Sequence, residues 1–267
     1  MHIKGVTLNL PRFLIAYFLS IFCYSSSAGH VSSPIINIII DDIGYRSIDD
    51  INALSIPGPI TYAIMPHAPN SIKISNIAND SGKSVILHLP MEAIESEKNK
   101  YLGPGALKLE MKESQFINTL SNNLESFPNI IGVNNHMGSL LTSKTQQMEW
   151  LMEYLYLKKI IFVDSVTASN TVTRNMAEIN HVPYVKRDVF LDNTRDKSYI
   201  NSQFHELIKI AKRKGSAIAI GHPYPETTEV LLNNLEKLDA YGVKLVSLME
   251  ILDANHVSHI RKLTMLK

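Results

Sequence analysis

The chain has 267 residues, 45% of them hydrophobic and 19% charged, which is ordinary for a globular protein with one large core. Its 26 lysines and arginines nearly balance 25 aspartates and glutamates, so no basic surface argues for binding nucleic acid, and we expect no such partner. The single cysteine, Cys23, precedes the main body of the chain. A metal site in that body must therefore use histidine and carboxylate ligands.

The N-terminal segment has the order of a secretory signal peptide. Lys4 and Arg12 precede an uncharged apolar run at 13–24, and the small polar residues SSSAG follow. A run of this length is short for a bilayer-spanning helix, which needs roughly 20 residues. We therefore expect residues 1–28 to be a cleaved signal peptide and the mature protein to be periplasmic or secreted. The alternative is a retained signal anchor, which would be the protein's only contact with a membrane.

Beyond this segment, the pattern predicts one domain at 33–255, in which short apolar runs alternate with amphipathic runs. The expected strands are 35–40, 59–64, 84–87, 129–133, 160–163, 183–185, 216–220 and 243–246. The expected helices are 70–81, 113–126, 144–157, 170–179, 198–214 and 226–240. The strands are almost continuously apolar, which is typical of parallel strands covered on both faces. About seven to eight strands alternating with helices predict an α/β fold, a complete or incomplete (β/α) barrel.

Polar side chains follow most of the expected strands. In chain order they are Asp41, Asp42, His67, His88, Asn134, Asn135, His136, Asp164, Ser165, Lys186, Arg187, Asp188 and His222. In a barrel, these strand ends lie on the face where active sites are built. Each residue alone has an ordinary structural explanation, such as capping the next helix or forming an ion pair. Their shared position favours a site, whereas we interpret Asp49 and Asp50 as the solvated face of a helix.

The chemistry that fits these side chains is a mononuclear metal site. Neutral imidazoles and a carboxylate suit Zn²⁺ or another divalent first-row metal. Of the adjacent Asp41 and Asp42, one can bind the metal while its neighbour takes a proton from metal-bound water. A histidine from another strand can then protonate the leaving group.

Six motifs, in this order along the chain, carry a resemblance to a known family. They are IIIDDIGY, AIMPHAP, VILHLPMEA, GVNNHMGSLLT, FVDS and GHPYPET. Together they resemble the divergent polysaccharide deacetylase family, which is similar in turn to carbohydrate esterases with a NodB-type deacetylase domain. The resemblance covers about residues 34–250.

The resemblance implies a distorted (β/α) barrel and the metal-dependent removal of N- or O-acetyl groups from a glycan. It implies that Asp41 is the catalytic base and Asp42 a metal ligand. His222 takes the place of the general acid, and His88 that of the first metal-binding histidine. The implied cofactor is a divalent metal, with Zn²⁺ as the expected ion.

The sequence also departs from the NodB-type pattern. The second metal-binding histidine is expected four residues after the first, where this chain has Glu92, and the segment NNHMGS replaces an arginine-proline motif. We propose His136 as the third ligand, with Glu92 as the alternative. We expect Asn135, Asp164, Arg187 and Asp188 to contact the substrate.

These features predict an exported metal-dependent deacetylase that acts on a cell-envelope polysaccharide. One alternative is a metal hydrolase that cleaves another amide or ester. A second is a catalytically inactive envelope protein that binds glycan or a protein partner. The loop at 97–110 either shapes access to the site or is an irregular insertion.

Overall fold

The computed structural model describes His2, residues 33–127 and residues 129–255. The expected signal peptide at 1–28 therefore lies outside the described residues, apart from His2. The strands in the described part are β1 (Ile35–Ile43), β2 (Thr61–Ile64), β3 (Ser84–Met91), β4 (Gly132–Met137), β5 (Ile161–Asp164), β6 (Tyr184–Lys186), β7 (Val189–Phe190), β8 (Ser216–Gly221) and β9 (Lys244–Leu245). The α-helices are α1 (Ser47–Leu54), α2 (Ser71–Asp80), α3 (Glu113–Glu125), α4 (Thr145–Lys158), α5 (Thr173–Ile179), α6 (Lys197–Lys214), α7 (Pro225–Leu235) and α8 (Leu238–Tyr241).

The strands form one nine-stranded sheet in the order β6-β5-β4-β3-β2-β1-β8-β7, with β9 paired to the start of β1. Every pairing in it is parallel. Helices connect most successive strands, as parallel pairing requires. The predicted distorted (β/α) barrel is confirmed. The distortion is visible in β7 and β9, which have only two residues each.

The two edge strands of the sheet, β6 and β7, are consecutive in the chain. The N–H of Arg187 donates to the carbonyl of Asp164 on one edge at 2.9 Å. The N–H of the next residue, Asp188, donates to the carbonyl of Ile218 near the other edge at 2.8 Å. The chain thus passes from one edge of the sheet to the other within a single peptide unit.

Strand residues alternate between two hydrophobic clusters. Ile39 and Ile86 belong to an inner cluster of strand residues, which Leu248 from the C-terminal segment also joins. Their neighbours Ile38 and Leu87 belong to a larger cluster shared with the helices. Because side chains alternate along a strand, the residues two positions beyond Ile39 and Ile86, which are Asp41 and His88, face the barrel interior.

Helix α1 is missing from the expected helix ranges, although Asp49 and Asp50 are interpreted as a helix face, and both do lie on this helix. The expectation that Asp50 lies on a solvated face is wrong. Asp50 is fully buried. Its Oδ2 accepts the backbone N–H groups of Gly44 at 3.0 Å and Arg46 at 2.9 Å. Gly44 has φ +126°, and a Cβ there would lie 2.8 Å from the Cβ of Ala68. Asp50 therefore fixes the tight turn that follows β1, because it satisfies two N–H groups of that turn.

Other boundaries moved by a few residues. Strand β3 continues through Met91, so His88 lies within the strand rather than after it. The single helix expected at 226–240 is divided into α7 and α8. The expected junction between helix and strand at Gly215 is confirmed, with Gly215 in the left-handed region at φ +92°. Over the described ranges, no helix is both long and apolar enough to cross a membrane.

Candidate metal centre

The end of β1 turns two adjacent carboxylates toward the same cavity. Regular alternation would direct Asp41 inward and Asp42 toward the helices. However, Asp42 has φ +59°, and the pairing of β1 with β2 shifts register between Ile40 and Ile43. A bulge of this kind re-aims a side chain. Both aspartates line the resulting cavity.

Asp42, His88 and His136 form a compact group of three candidate ligands. Oδ1 of Asp42 lies 3.1 Å from Nε2 of His88 and 3.0 Å from Nδ1 of His136. The two nitrogens are 3.0 Å apart. Despite these distances, Oδ1 of Asp42 is buried, and among the described residues no donor is aligned with it well enough to form a hydrogen bond. Three converging polar atoms, one of them unsatisfied, are the arrangement expected where a cation is to be held.

The donor set fits a divalent first-row metal. Two imidazoles and one carboxylate are ligands that Zn²⁺ accepts, and three protein ligands leave a position for water or substrate. Ligands about 2.0–2.1 Å from a tetrahedral ion are separated by about 3.3 Å, close to the observed spacing. Glu92 does not belong to this group of ligands. Its Oε2 accepts the N–H of Leu109 at 2.7 Å, so the geometry favours His136 over Glu92 as the third ligand.

Asn134 determines which nitrogen of His88 is available to a metal. The side-chain N–H of Asn134 donates to Oδ1 of Asp41 at 2.7 Å. Its carbonyl oxygen therefore faces Nδ1 of His88, at 2.8 Å. Because that oxygen is only an acceptor, Nδ1 carries a proton, and Nε2 is the nitrogen that faces Asp42 and His136 and would bind a metal. Asn134 thus connects the candidate base to the candidate ligand.

His222 approaches the cavity from β8 and is held by Asp192. Nδ1 of His222 donates to Oδ1 of Asp192 at 2.9 Å. Oδ2 of Asp192 accepts the backbone N–H of His222 at 2.6 Å and the hydroxyl of Thr227 at 2.7 Å. Nε2 of His222 then lies 3.7 Å from Oδ2 of Asp42. Sequence reasoning missed Asp192, because the two-residue strand β7 before it is too short to recognise.

The charges in the cavity shift one another's pKa values. Burial raises the pKa of Asp41. Burial would also raise the pKa of Asp42, but the imidazoles of His136 and His88 outweigh it and hold that pKa well below the usual value. Burial opposes the charge on His88, yet the carboxylates of Asp41 and Asp42 raise its pKa to about 9. Before any ion binds, a proton on His88 therefore offsets part of the negative charge of Asp41 and Asp42 that a bound cation would otherwise neutralise.

The cavity has a volume of about 410 Å³, and its wall contains two of the four residues expected to contact substrate, Asn135 and Arg187. Lys98, from the loop at 97–110, also lies in the wall. The N–H of Ile94, just before this loop, donates to the hydroxyl of Ser139 at 3.0 Å. The segment at 93–98 is therefore attached to the end of β4 and forms one side of the cavity.

The structure places Asp164 and Asp188 outside the cavity wall, so their expected contact with substrate has no support. Asp164 is buried and accepts hydrogen bonds from the N–H of Val166 at 2.7 Å and the hydroxyl of Thr173 at 2.5 Å. Asp188 forms an ion pair with Lys214 at 2.7 Å. Both carboxylates stabilise local structure.

Arg187 organises the loop after β5. Its Nε donates to the carbonyl of Ser165 at 2.7 Å and its Nη2 to the carbonyl of Val166 at 3.0 Å. Val166 has φ +53°, which is rare for a β-branched residue. Asn135 accepts the N–H of Ser165 at 2.9 Å. Together with Asp164, whose Oδ1 accepts the N–H of Val166, side chains from three strand ends thus hold a strained turn beside the cavity, as is common at functional sites.

A parallel barrel that carries an Asp–His–His group, a buried aspartate and a His–Asp pair at its strand ends has the architecture of a deacetylase-like protein. The chain belongs to the divergent polysaccharide deacetylase family, whose match covers residues 38–252. The resemblance found in the motifs is therefore confirmed.

Three known proteins show how far the similarity extends. The uncharacterised protein YibQ of Escherichia coli is 36% identical over 225 residues, which are 82% of this chain and 70% of that protein. The crystal structure of an uncharacterised protein of Agrobacterium tumefaciens has a TM-score of 0.78 at 19% identity, covering 82% of this chain and 89% of that one. A carbohydrate esterase family 4 pseudoenzyme of Bacillus anthracis has a TM-score of 0.50 at 14% identity, covering 84% of this chain and 66% of that one.

Proposed function

We propose that the protein is an exported, metal-dependent deacetylase that hydrolyses acetyl groups from a cell-envelope polysaccharide. The observation that carries the proposal is the convergence of Asp42, His88 and His136 in a cavity that Asp41 and His222 also line. Export is inferred from the N-terminal pattern of charged, apolar and small residues. Polysaccharide as the substrate class follows from the family.

Each side chain has a defined task in this proposal. Asp42, His88 and His136 would hold a divalent metal, with Zn²⁺ the expected ion. That ion supplies charge stabilisation and makes water more acidic. Asp41 accepts a proton from the attacking water, and the hydrogen bond from Asn134 holds its carboxylate in place. His222 donates a proton to the departing sugar nitrogen or oxygen.

The environments of the acid and the base suit these tasks. Burial raises the pKa of Asp41, which makes its carboxylate a better proton acceptor. Burial would lower the pKa of His222, but Asp192 outweighs it and raises that pKa. His222 is thereby kept protonated to a higher pH, as a general acid should be. Asp192 also keeps the Nδ1 proton of His222 away from the cavity, so that Nε2 is the atom presented to substrate.

The second candidate is a non-catalytic protein that keeps the barrel and binds glycan or a protein partner. One observation favours it: the fold is shared with a Bacillus anthracis protein described as a pseudoenzyme, of which a mutant has restored enzymatic activity. A metal hydrolase acting on another amide or ester is the third candidate. The present chain retains both a candidate acid and a candidate base, which favours an enzyme.

Metal content and acetate release, measured together on the purified mature protein, test the proposal. We expect stoichiometric divalent metal and acetate release from at least one member of a panel of N- and O-acetylated glycans. His136→Gln should lose both. His67→Gln is the matched control, since His67 also follows a strand but contacts Asn123 at 2.9 Å instead of the candidate ligands. Stoichiometric metal without acetate release from any glycan would favour the non-catalytic candidate.

A further inference from the structure

Two arginines stack on one tyrosine beside the cavity. The guanidinium carbon of Arg46 lies 4.8 Å from the ring centroid of Tyr224, and that of Arg195 lies 4.1 Å from it. We call these three residues the arginine stack. The ring of Tyr224 is also 5.4 Å from the ring of His222. The arginine stack therefore adjoins the candidate general acid, which lines the cavity.

The cationic groups of the stack are only partly neutralised. Arg195 pairs with Glu226 at 3.2 Å through one of its nitrogens. Over the described residues, no carboxylate lies within ion-pair distance of the Arg46 guanidinium, and Arg46 is exposed. Asp50 accepts only the backbone N–H of Arg46. Among the described residues, the stack thus carries a net positive charge, and guanidinium N–H groups of both arginines have no hydrogen-bond acceptor.

The two cations are held close together. From their distances to the ring centroid, the guanidinium carbons lie within about 9 Å of each other. That is roughly a Debye length in physiological salt, so the charges repel each other. Contact with the ring fixes the position of each guanidinium group and offsets part of the repulsion. An anion bound to the guanidinium groups would offset the rest.

Guanidinium groups suit carboxylates and phosphates. Their planar arrangement of donors matches the oxygens of either group and allows two parallel hydrogen bonds. Because Tyr224 already orders both side chains, little conformational entropy remains to be lost when an anion binds. The cavity wall would also favour an anion once a divalent ion offsets the two adjacent aspartates, because the positive charges of Arg187 and Lys98 then outweigh the negative charge of Glu95.

We propose that the arginine stack is an anion-binding subsite and that the substrate is an acidic glycan, with a carboxylate or phosphate near the acetylated sugar. That the acidic glycan is a substrate rests on the proposed function, but its binding to the subsite does not require turnover. The subsite would select the glycan, while the cavity selects the acetyl group.

Equilibrium binding of two N-acetylated oligosaccharides of equal length tests the subsite. Hyaluronan oligosaccharides alternate N-acetylglucosamine with glucuronate, whereas chitin oligosaccharides contain only the neutral N-acetylglucosamine. Every protein carries Asp41→Asn and is loaded with Zn²⁺, so that no probe is consumed. We expect the hyaluronan probe to bind about tenfold more tightly, corresponding to about 1.4 kcal/mol, and the preference to weaken in high salt.

Variants of the stack should remove the preference and keep binding of the neutral probe. In Arg46→Gln/Arg195→Gln we expect both probes to bind equally. Tyr224→Leu should reduce the preference while leaving both charges. Arg174→Gln is the matched control, because Arg174 also stacks on a tyrosine, Tyr184 at 5.3 Å, and pairs with Glu178 at 3.6 Å, but that ring packs against Phe162 rather than against His222. Its preference should equal that of the parent protein.

Competition identifies the anion. Displacement of the hyaluronan probe by glucuronate rather than by inorganic phosphate assigns a carboxylate, and the reverse assigns a phosphate. Equal affinity for the two probes in the parent protein, failure of both to bind, or a preference retained in the double variant would overturn the subsite. Absence of acetate release alongside a preference that depends on Arg46 and Arg195 would contradict only the enzymatic proposal.

Discussion

The side-chain carbonyl of Asn134 accepts the Nδ1 proton of His88 across 2.8 Å. This contact orients the imidazole and leaves Nε2 as the candidate metal-binding atom. Partners of metal-binding histidines commonly tune affinity in this way.

Replacement of Asn134 by alanine should weaken metal binding without removing a ligand. We expect the dissociation constant for Zn²⁺ to rise by about 10–100-fold, the usual cost of losing such a partner. Competition with a chromophoric chelator measures it. Asn123→Ala is the control, since buried Asn123 contacts His67 at 2.9 Å and the carbonyl of Gly105 at 2.8 Å, away from the candidate ligands. Equal loss of affinity in both variants would contradict the specific role of Asn134.

Variants of the adjacent aspartates should separate metal binding from catalysis. Asp42→Ala should lose bound metal and acetate release together. Asp41→Asn should keep the metal and lose about 10²–10⁴-fold in turnover, the usual contribution of a positioned base. Metal analysis and acetate release are measured on the same samples. Near-normal turnover in Asp41→Asn would show that the base lies elsewhere.

Asp192→Asn should shift the pH dependence of the reaction. Asp192 raises the pKa of His222. Replacement of Asp192 therefore lowers that pKa, and the general acid loses its proton at a lower pH. The alkaline limb of kcat/KM should therefore move to lower pH, while metal content remains unchanged. A lower rate with an unmoved limb would mean that Asp192 acts only on structure.

Metal binding should release protons at mildly alkaline pH. The carboxylates raise the pKa of His88 to about 9 before an ion binds, so at pH 8 His88 is charged and must lose a proton to become a ligand. Calorimetric titration with Zn²⁺ in buffers of different ionisation enthalpy measures the number released. An apparent enthalpy that does not depend on the buffer would contradict this charge state.

The raised pKa of His88 should also make the stability of the metal-free protein depend on pH. Because the pKa of His88 is raised by folding, its pairing contributes fully below the unfolded value of about 6.5. That contribution is lost as pH rises through about 9. With chelator, Tm should fall over this range, and with saturating Zn²⁺ the fall should be smaller. His88→Gln should show a reduced slope in chelator; an unchanged slope would assign the effect to other groups.

Much of the barrel and three of the candidate groups could be predicted from the sequence. Asp41, His88 and His222 lie in or directly after the C-terminal halves of apolar strands, and those strands define their position. Asp164 was assigned to the substrate because position alone was considered. Its neighbour Val163 belongs to the inner cluster, so alternation directs Asp164 the other way. Strands that are apolar on both faces conceal this alternation.

Other features depend on contacts that a sequence does not display. Asp42 reaches the cavity only because the backbone bulges at a positive φ. Asp192 becomes visible only after β7, with its two residues, is known to pair with β8. The burial of Asp50 reflects the turn at Gly44. The secondary-structure propensities of individual residues carry no information about such tertiary contacts.

The passage of the chain between the sheet edges at Arg187 and Asp188 has a consequence for how the cavity can change. At this point the two edges of the sheet are joined by a covalent peptide bond rather than by a ladder of hydrogen bonds, so the length of the chain fixes the distance between them. Slippage between strands cannot alter it there, but chain length can. Because a residue spans at most about 3.3–3.6 Å, one residue inserted between Arg187 and Asp188 would let the two edges separate by up to that distance, and neither residue is a candidate metal ligand. A change in chain length at this peptide would therefore alter the cavity wall beside Arg187 without replacing a candidate ligand.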